Sequence, residues 1–218
     1  MLDSICSSQE RNDILYQWKN DARLLERNKF IGDLYNDFIT HHDGIHLMKT
    51  MMANYILEGI YFYSGFMFFY NLGRMGKMPG SVQEIRYINR DENTHLWLFR
   101  SMILELQKEE PQLFTPALVE EYKDMLRYGV EEEIRWGSYV IGNDIEGLTM
   151  QMVREYIYYL GNLRSTSLGF GTLYEGYEKE PASMEWVSMY ANANLIKTDF
   201  FEARSSAYAK SSALVDDL

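Results

Sequence analysis

The sequence predicts an all-α protein. Three observations carry this: there are only four prolines in 218 residues, apolar residues recur three and four apart over long stretches, and no stretch alternates apolar and polar residues over the length of a strand. The 17 Tyr, 11 Phe, 4 Trp and 13 Met add that the helices have bulky, aromatic-rich interiors.

Start signals then place the elements. Ser7-Ser8-Gln9-Glu10 and Ser81-Val82-Gln83-Glu84 each have capping-box spacing, in which a Ser hydroxyl and a Glu carboxylate satisfy orphan helix amides. Thr115-Pro116 offers a cap followed by a proline at the first helical position, and Gly147-Leu148-Thr149 precedes another periodic segment. Helices are expected at 8–38 with a bend near Asn20, then at 46–72, 82–108, 117–141, 149–165 and near 185–202. The breaks around Gly44, from Gly73 to Gly80, from Lys108 to Pro116, from Gly142 to Gly147 and from Gly169 to Pro181 read as ordinary loops. One helical domain therefore spans 1–204, followed by a small, polar and finally acidic tail over 205–218.

Charge and composition exclude several classes. With 21 Lys+Arg against 32 Asp+Glu, the formal charge of −11 repels a phosphate backbone, so nucleic acid is not expected as a partner. The most apolar stretch, Leu47 to Leu72, carries Lys49, Asn54 and Glu58, and its charge-free run from Gly59 to Gly73 is 15 residues. A bilayer span needs about 20 apolar residues, so this is a buried core helix and no membrane association is expected. A lone Cys6 and an N-terminus without signal-peptide features point to a reducing cytoplasm. No phosphate-binding glycine loop, paired cysteines or G-x-S-x-G is present.

Two anomalies remain in the apolar patterns. Glu92 and His95 fall inside the stripe of Ile85, Ile88, Phe99, Met102, Ile103 and Leu106, and side chains three apart on a helix can hold one cation together. Glu58 lies among Met51, Tyr55, Phe62, Phe66 and Phe69, where an unpaired carboxylate is costly. The plainer alternatives are a Glu beside a core His, and a Glu58 neutralised by Arg90 or another distant base. A shared metal answers both anomalies at once. Ferritin-like dimetal bundles need one Glu from each of two helices and a Glu-x-x-His from each of two more, and half of that set is here. Asp43 and His46 have the spacing but sit at a loop or helix start, and His41 and His42 are expected to be solvated. Glu131-Glu132-Glu133 reads as a solvated helix face, and Tyr156, Tyr158 and Tyr159 as core and interface.

The runs Leu57 to Phe66, Ile88 to His95 and Asp199 to Arg204 together resemble the small (beta) subunit of class I ribonucleotide reductase over essentially the whole chain. The resemblance implies a ferritin-like bundle housing a dimetal centre, two Fe with Mn or mixed Fe/Mn as variants, that generates an oxidising equivalent, usually a tyrosyl radical, for ribonucleotide reduction in the large subunit. It implies Glu58, Glu92 and His95 as metal ligands and Asp91 as an acid bonded to a metal-bound His. Phe62, Phe66 and Ile88 would form an apolar wall around the radical, and Tyr208 a redox relay. The tail from Ala213 to Leu218 would dock on the large (alpha) subunit.

One departure shapes the expectation. The family's earlier helices supply an acid, a Glu-x-x-His and the radical tyrosine, and Met1 to Cys6 resembles the end of that region. The chain is thus expected to be the C-terminal part of a small subunit, partnered by a separate N-terminal polypeptide and forming homo-oligomers. The alternatives are a non-catalytic module that binds the large subunit through its tail, and a symmetric homodimer in which two copies of Glu58, Glu92 and His95 build a ferroxidase-like site.

Overall fold

The computed structural model describes residues 6–191. Among these residues the chain forms α1 (Ser8–Tyr16), α2 (Ala22–His41), α3 (Gly44–Ile56), α4 (Tyr63–Arg74), α5 (Pro79–Glu109), α6 (Pro116–Val140), α7 (Met150–Ser167) and α8 (Glu185–Ala191), with no strand. The all-α expectation is met. The boundary at 204, the tail with Tyr208 and Ala213 to Leu218, the end of the last helix and residues 1–5 lie outside the described residues.

Several starts form as their chemistry requires. The Ser7 hydroxyl accepts the Glu10 amide at 3.3 Å while Glu10 accepts the Ser7 amide at 2.8 Å, completing the capping box. The bend near Asn20 is a 3-10 turn, Gln17–Lys19, before Asp21 caps α2. Thr115 and Thr149 cap α6 and α7. The helix expected from 82 instead begins at Pro79, directly after Met78 in the left-handed region at φ 49°. Ser81 is therefore inside α5, because proline's fixed φ starts the helix two residues earlier.

The apolar run from Leu47 to Leu72 forms a central rod, α3 followed by α4, that packs against α2, α5, α6 and α7. Met48, Met52, Tyr55, Ile56, Ile60, Met67 and Tyr70 are completely buried along it. No helix among the described residues is long and apolar enough to cross a membrane. α6 approaches the rod closely at Gly129, where a Cβ would stand 2.5 Å from Ile56 Cγ2; any larger residue there forces the helices apart. The rod is not one uninterrupted helix: Leu57–Tyr61 is a π-helical turn, which the sequence pattern did not reveal.

One surface expectation is corrected. Glu133 is completely buried, while Glu131 and Glu132 stay partly exposed. The buried stripe of α6 runs through Leu126, Gly129, Val130, Glu133, Ile134 and Gly137, so position 133 faces the rod, where it pairs with Arg27 of α2. Tyr156 is buried as expected.

The segment from Gly169 to Pro181 is more than a passive loop, because the buried Asn162 of α7 holds it with all its polar capacity. Asn162 Oδ1 accepts the amides of Leu173 and Tyr174 at 2.8 and 2.9 Å, and Nδ2 donates to the carbonyls of Tyr174 and Tyr177 at 2.7 and 2.9 Å. Removing the amide strands up to four backbone groups, each worth about 1–3 kcal/mol if it stays dry. Asn162→Ala is expected to lower stability by at least about 2 kcal/mol and to open cleavage between 170 and 178 in limited proteolysis. Resistance equal to that of the parent would show that the loop holds itself.

Candidate metal centre

Three side chains expected to act together do meet. Glu58 projects from the π-turn, and Glu92 and His95 from adjacent turns of α5, which packs on that turn. His95 Nδ1 lies 2.8 Å from Glu92 Oε2 and 3.9 Å from Glu58 Oε2. One ligand atom from each of the three falls within 4.8 Å of the others. Donors sharing one ion at about 2.0–2.2 Å each stand at most about 4.4 Å apart, so shifts of a few tenths of an ångström suffice to enclose an ion.

The electrostatics are those of an uncompensated site. Glu58 Oε2 is buried and has no hydrogen-bond partner. Burial, and next the Glu92 carboxylate beside it, push the Glu58 carboxyl up to about 7. The hydrogen bond to Glu92 lifts His95 above its ordinary range. Arg90 does not neutralise Glu58, since its guanidinium turns to Asp91 at 3.2 Å and stands over the Tyr87 ring at 5.2 Å. Glu92 pairs with His95, but His95 is 53% exposed and therefore not the core histidine of the plainer alternative, and the pairing leaves Glu58 Oε2 without a hydrogen-bond partner. Two carboxylates and an imidazole form a hard donor set that fits iron or manganese and lacks the thiolates that favour zinc or copper(I).

The other expected residues are placed less uniformly. Phe66 is buried, whereas Phe62 and Ile88 are 37% and 44% exposed; Phe62 and Phe66 have ring centroids 6.1 Å apart. Asp91 is exposed and engaged with Arg90. Asp43 caps α3 by accepting the His46 amide at 2.9 Å, and its carboxylate also meets His46 Nδ1 at 2.8 Å. His41 and His42 are exposed as expected, and the His41 ring stacks on His46 with centroids 4.3 Å apart. Ile88, Leu98 and Met102 are exposed at the same three-and-four spacing as Glu92 and His95, and the site opens onto this uncovered stripe of α5.

Sequence reasoning missed three buried charges beside the site: Arg27, Glu133 and Arg164. Glu133 carried a signal, its position within the apolar stripe of α6. The two arginines did not announce themselves.

The family model for the ribonucleotide reductase small chain matches residues 1–181. The chain belongs to this family. A small-chain relative, ribonucleoside-diphosphate reductase subunit beta of Treponema pallidum, is 71% identical over 218 residues, which is 100% of this chain and 62% of the relative. The subunit beta of Halalkalibacterium halodurans is 38% identical across 98% of this chain and 61% of its own length. Among solved small-chain structures, the ribonucleotide reductase R2 subunit from Clostridium botulinum superposes with a TM-score of 0.83 at 46% identity, covering 88% of this chain and 60% of that one. A putative class I ribonucleotide reductase from Bacillus halodurans gives 0.82 at 35% identity, covering 87% of this chain and 67% of that one. The chain thus has the ferritin-like small-chain fold and spans about three-fifths of the length of these curated relatives.

Proposed function

We propose that this chain carries half of the dimetal site of a ribonucleoside-diphosphate reductase small subunit, the other half coming from residues outside this sequence. The observation that carries this is the buried Glu58 oxygen without a hydrogen-bond partner, facing Glu92 and, at 3.9 Å, His95. Such a group is costly in a protein that never binds a cation and useful in one that does. Glu58, Glu92 and His95 would hold the metal, two Fe or the chemically similar Mn or mixed Fe/Mn pair. When bound, the pair supplies the oxidising equivalent used in reducing ribonucleotides to deoxyribonucleotides.

The chain's own residues bind and shield. Phe66 excludes water from below, and Phe62 with Ile88 would complete an apolar wall once the open stripe is covered. That stripe supports a covering partner, either the family's N-terminal helices on a separate polypeptide or a second copy of this chain. Asp91 would turn from Arg90 to a metal-bound His of the completing half. The tail, from Ala213 to Leu218, would dock on the large subunit, with Tyr208 relaying the oxidising equivalent. A cytoplasmic setting is consistent with this role.

Anaerobic ferrous titration of the chain, alone and mixed with the N-terminal helices of a relative, tests the proposal by elemental analysis of bound iron. Two irons per complex only in the mixture is the expected result. Two irons per pair of chains with nothing added would indicate the symmetric ferroxidase-like homodimer. No stoichiometric uptake in either case would leave a non-catalytic module that binds through its tail.

A further inference from the structure

The π-turn bearing Glu58 displaces backbone groups from the regular helical ladder, and the structure shows where they go. The Gly59 carbonyl accepts Arg164 Nε at 3.1 Å, and the Tyr61 carbonyl accepts Arg27 Nη2. The Ser64 amide donates to Glu133 Oε1 at 2.7 Å, while Glu133 Oε2 pairs with Arg27. Arg164 also donates to the Tyr63 hydroxyl at 2.9 Å. Three buried charged side chains, from α2, α6 and α7, thus converge on a single turn of main chain. Arg27 adds a stacking contact, its guanidinium standing 4.1 Å from the Tyr61 ring centroid.

Stability alone is a poor reason for this arrangement, because well-packed apolar residues serve as well as a buried ion pair or better. Arg164 has no carboxylate partner among the described residues: it bonds a carbonyl and a hydroxyl and stands 5.7 Å from the Tyr63 ring centroid. Gly59 belongs to the same device. A Cβ there would lie 2.7 Å from Leu96 Cδ1 and 3.0 Å from Arg164 Nε, so only glycine lets the guanidinium reach its carbonyl. A π-turn holds one residue more than the α-helical path, and relaxing it rotates one flank against the other by about 100°. Glu58 would then no longer face Glu92 and His95.

We infer that Arg164, together with the Arg27–Glu133 pair, is a positioning latch that holds the π-turn and thereby aims the Glu58 carboxylate at Glu92 and His95. The aiming role rests on the metal-site function proposed above; the latch on the turn does not. π-turns recur at functional sites because they place one side chain out of helical register, and here the polar groups that keep one open are identified.

The test uses the full chain mixed with the N-terminal helices of a relative, with Mn2+ as probe read by electron paramagnetic resonance of the free ion, alongside amide hydrogen exchange. Arg164→Met is expected to weaken Mn2+ binding about tenfold, as loss of a residue that orients a ligand does, with partial recovery in Arg164→Lys. In a Glu58→Ala background the same change should have no further effect. Exchange should accelerate for amides 57–64 and stay unchanged in α6. Gly59→Ala, which keeps the guanidinium but pushes it off the carbonyl, should reproduce the local acceleration if Arg164→Met fails to fold. Unchanged affinity in Arg164→Met while Glu58→Ala weakens binding would overturn the aiming role and leave the metal site standing. If the parent binds no Mn2+ even in that mixture, the metal reading and the aiming role fail together. Unchanged exchange at 57–64 would overturn the latch itself.

Discussion

Glu133→Ala is expected to lower the unfolding free energy by about 3–5 kcal/mol, the largest single-residue loss predicted for this chain outside its apolar core. Glu133 is completely buried, and its carboxylate joins the Arg27 guanidinium to the Ser64 amide. Truncation leaves the guanidinium buried without its counter-charge and the amide without an acceptor. Urea denaturation above pH 7, where the carboxyl is charged, measures the loss, and the double variant Arg27→Met, Glu133→Met is the control. With both charges gone the interior has nothing left to neutralise, so the double variant should recover most of the stability. Additive losses would mean that the two residues contribute through packing and not as a pair.

The same residue predicts a pH dependence. Burial pushes the Glu133 carboxyl up to about 7 from 4.5, outweighing the opposing pull of Arg27 and of the Ser64 hydrogen bond. Between these values the folded state keeps a proton that the unfolded chain has released, so the group's contribution to stability falls as pH rises through that window. Comparing the parent with Glu133→Gln from pH 4.5 to 7 isolates it: the parent should lose stability relative to the variant across the interval. A constant difference would place the carboxyl at its ordinary value.

Glu92→Ala is expected to lower divalent-metal affinity at least about 100-fold, beyond the 10–100-fold typical of losing a group that merely orients a ligand. Glu92 acts on both other residues: it bonds His95 and, as the second largest influence after burial, lifts Glu58. Its removal would delete a proposed ligand and free the His95 ring from its hydrogen bond. Without metal the variant should unfold at a slightly higher temperature than the parent, because a like charge beside Glu58 has gone. With saturating metal the order should reverse. Isothermal titration with Mn2+ and thermal unfolding with and without the ion, each on the chain mixed with the N-terminal helices of a relative, check both statements, and equal affinity in parent and variant would remove Glu92 from the proposed ligand set.

Much of this was legible in the residue order. The helix starts at Ser7, Thr115 and Thr149 rest on a cap within three residues of the amide it satisfies, which is local information. Glu58, Glu92 and His95 stood out because each broke an apolar period, and a polar residue in such a stripe needs a reason. The start at Pro79 was misplaced because two valid local signals competed and the proline prevailed.

What stayed hidden has a common physical origin. Whether Glu133 is solvated or buried depends on which face of α6 meets the rod, and the adjacent Glu131 and Glu132 masked its place in the stripe. The π-turn follows from no local propensity in Leu57–Tyr61; it exists because Arg27, Glu133 and Arg164, separated from it by between 34 and 105 residues for the bonds to Tyr61 and Gly59, supply partners for the main-chain groups it displaces. Asn162 looked like any helical asparagine until the loop folded back onto it. Helical class, element order and the identity of the candidate ligands were thus set by periodicity and capping, whose interactions reach no further than a turn. The direction in which Glu58 points, and the charges buried to hold it there, were decided only by packing, because a carbonyl released from its helix must be satisfied by whatever the tertiary fold brings within 3 Å or so.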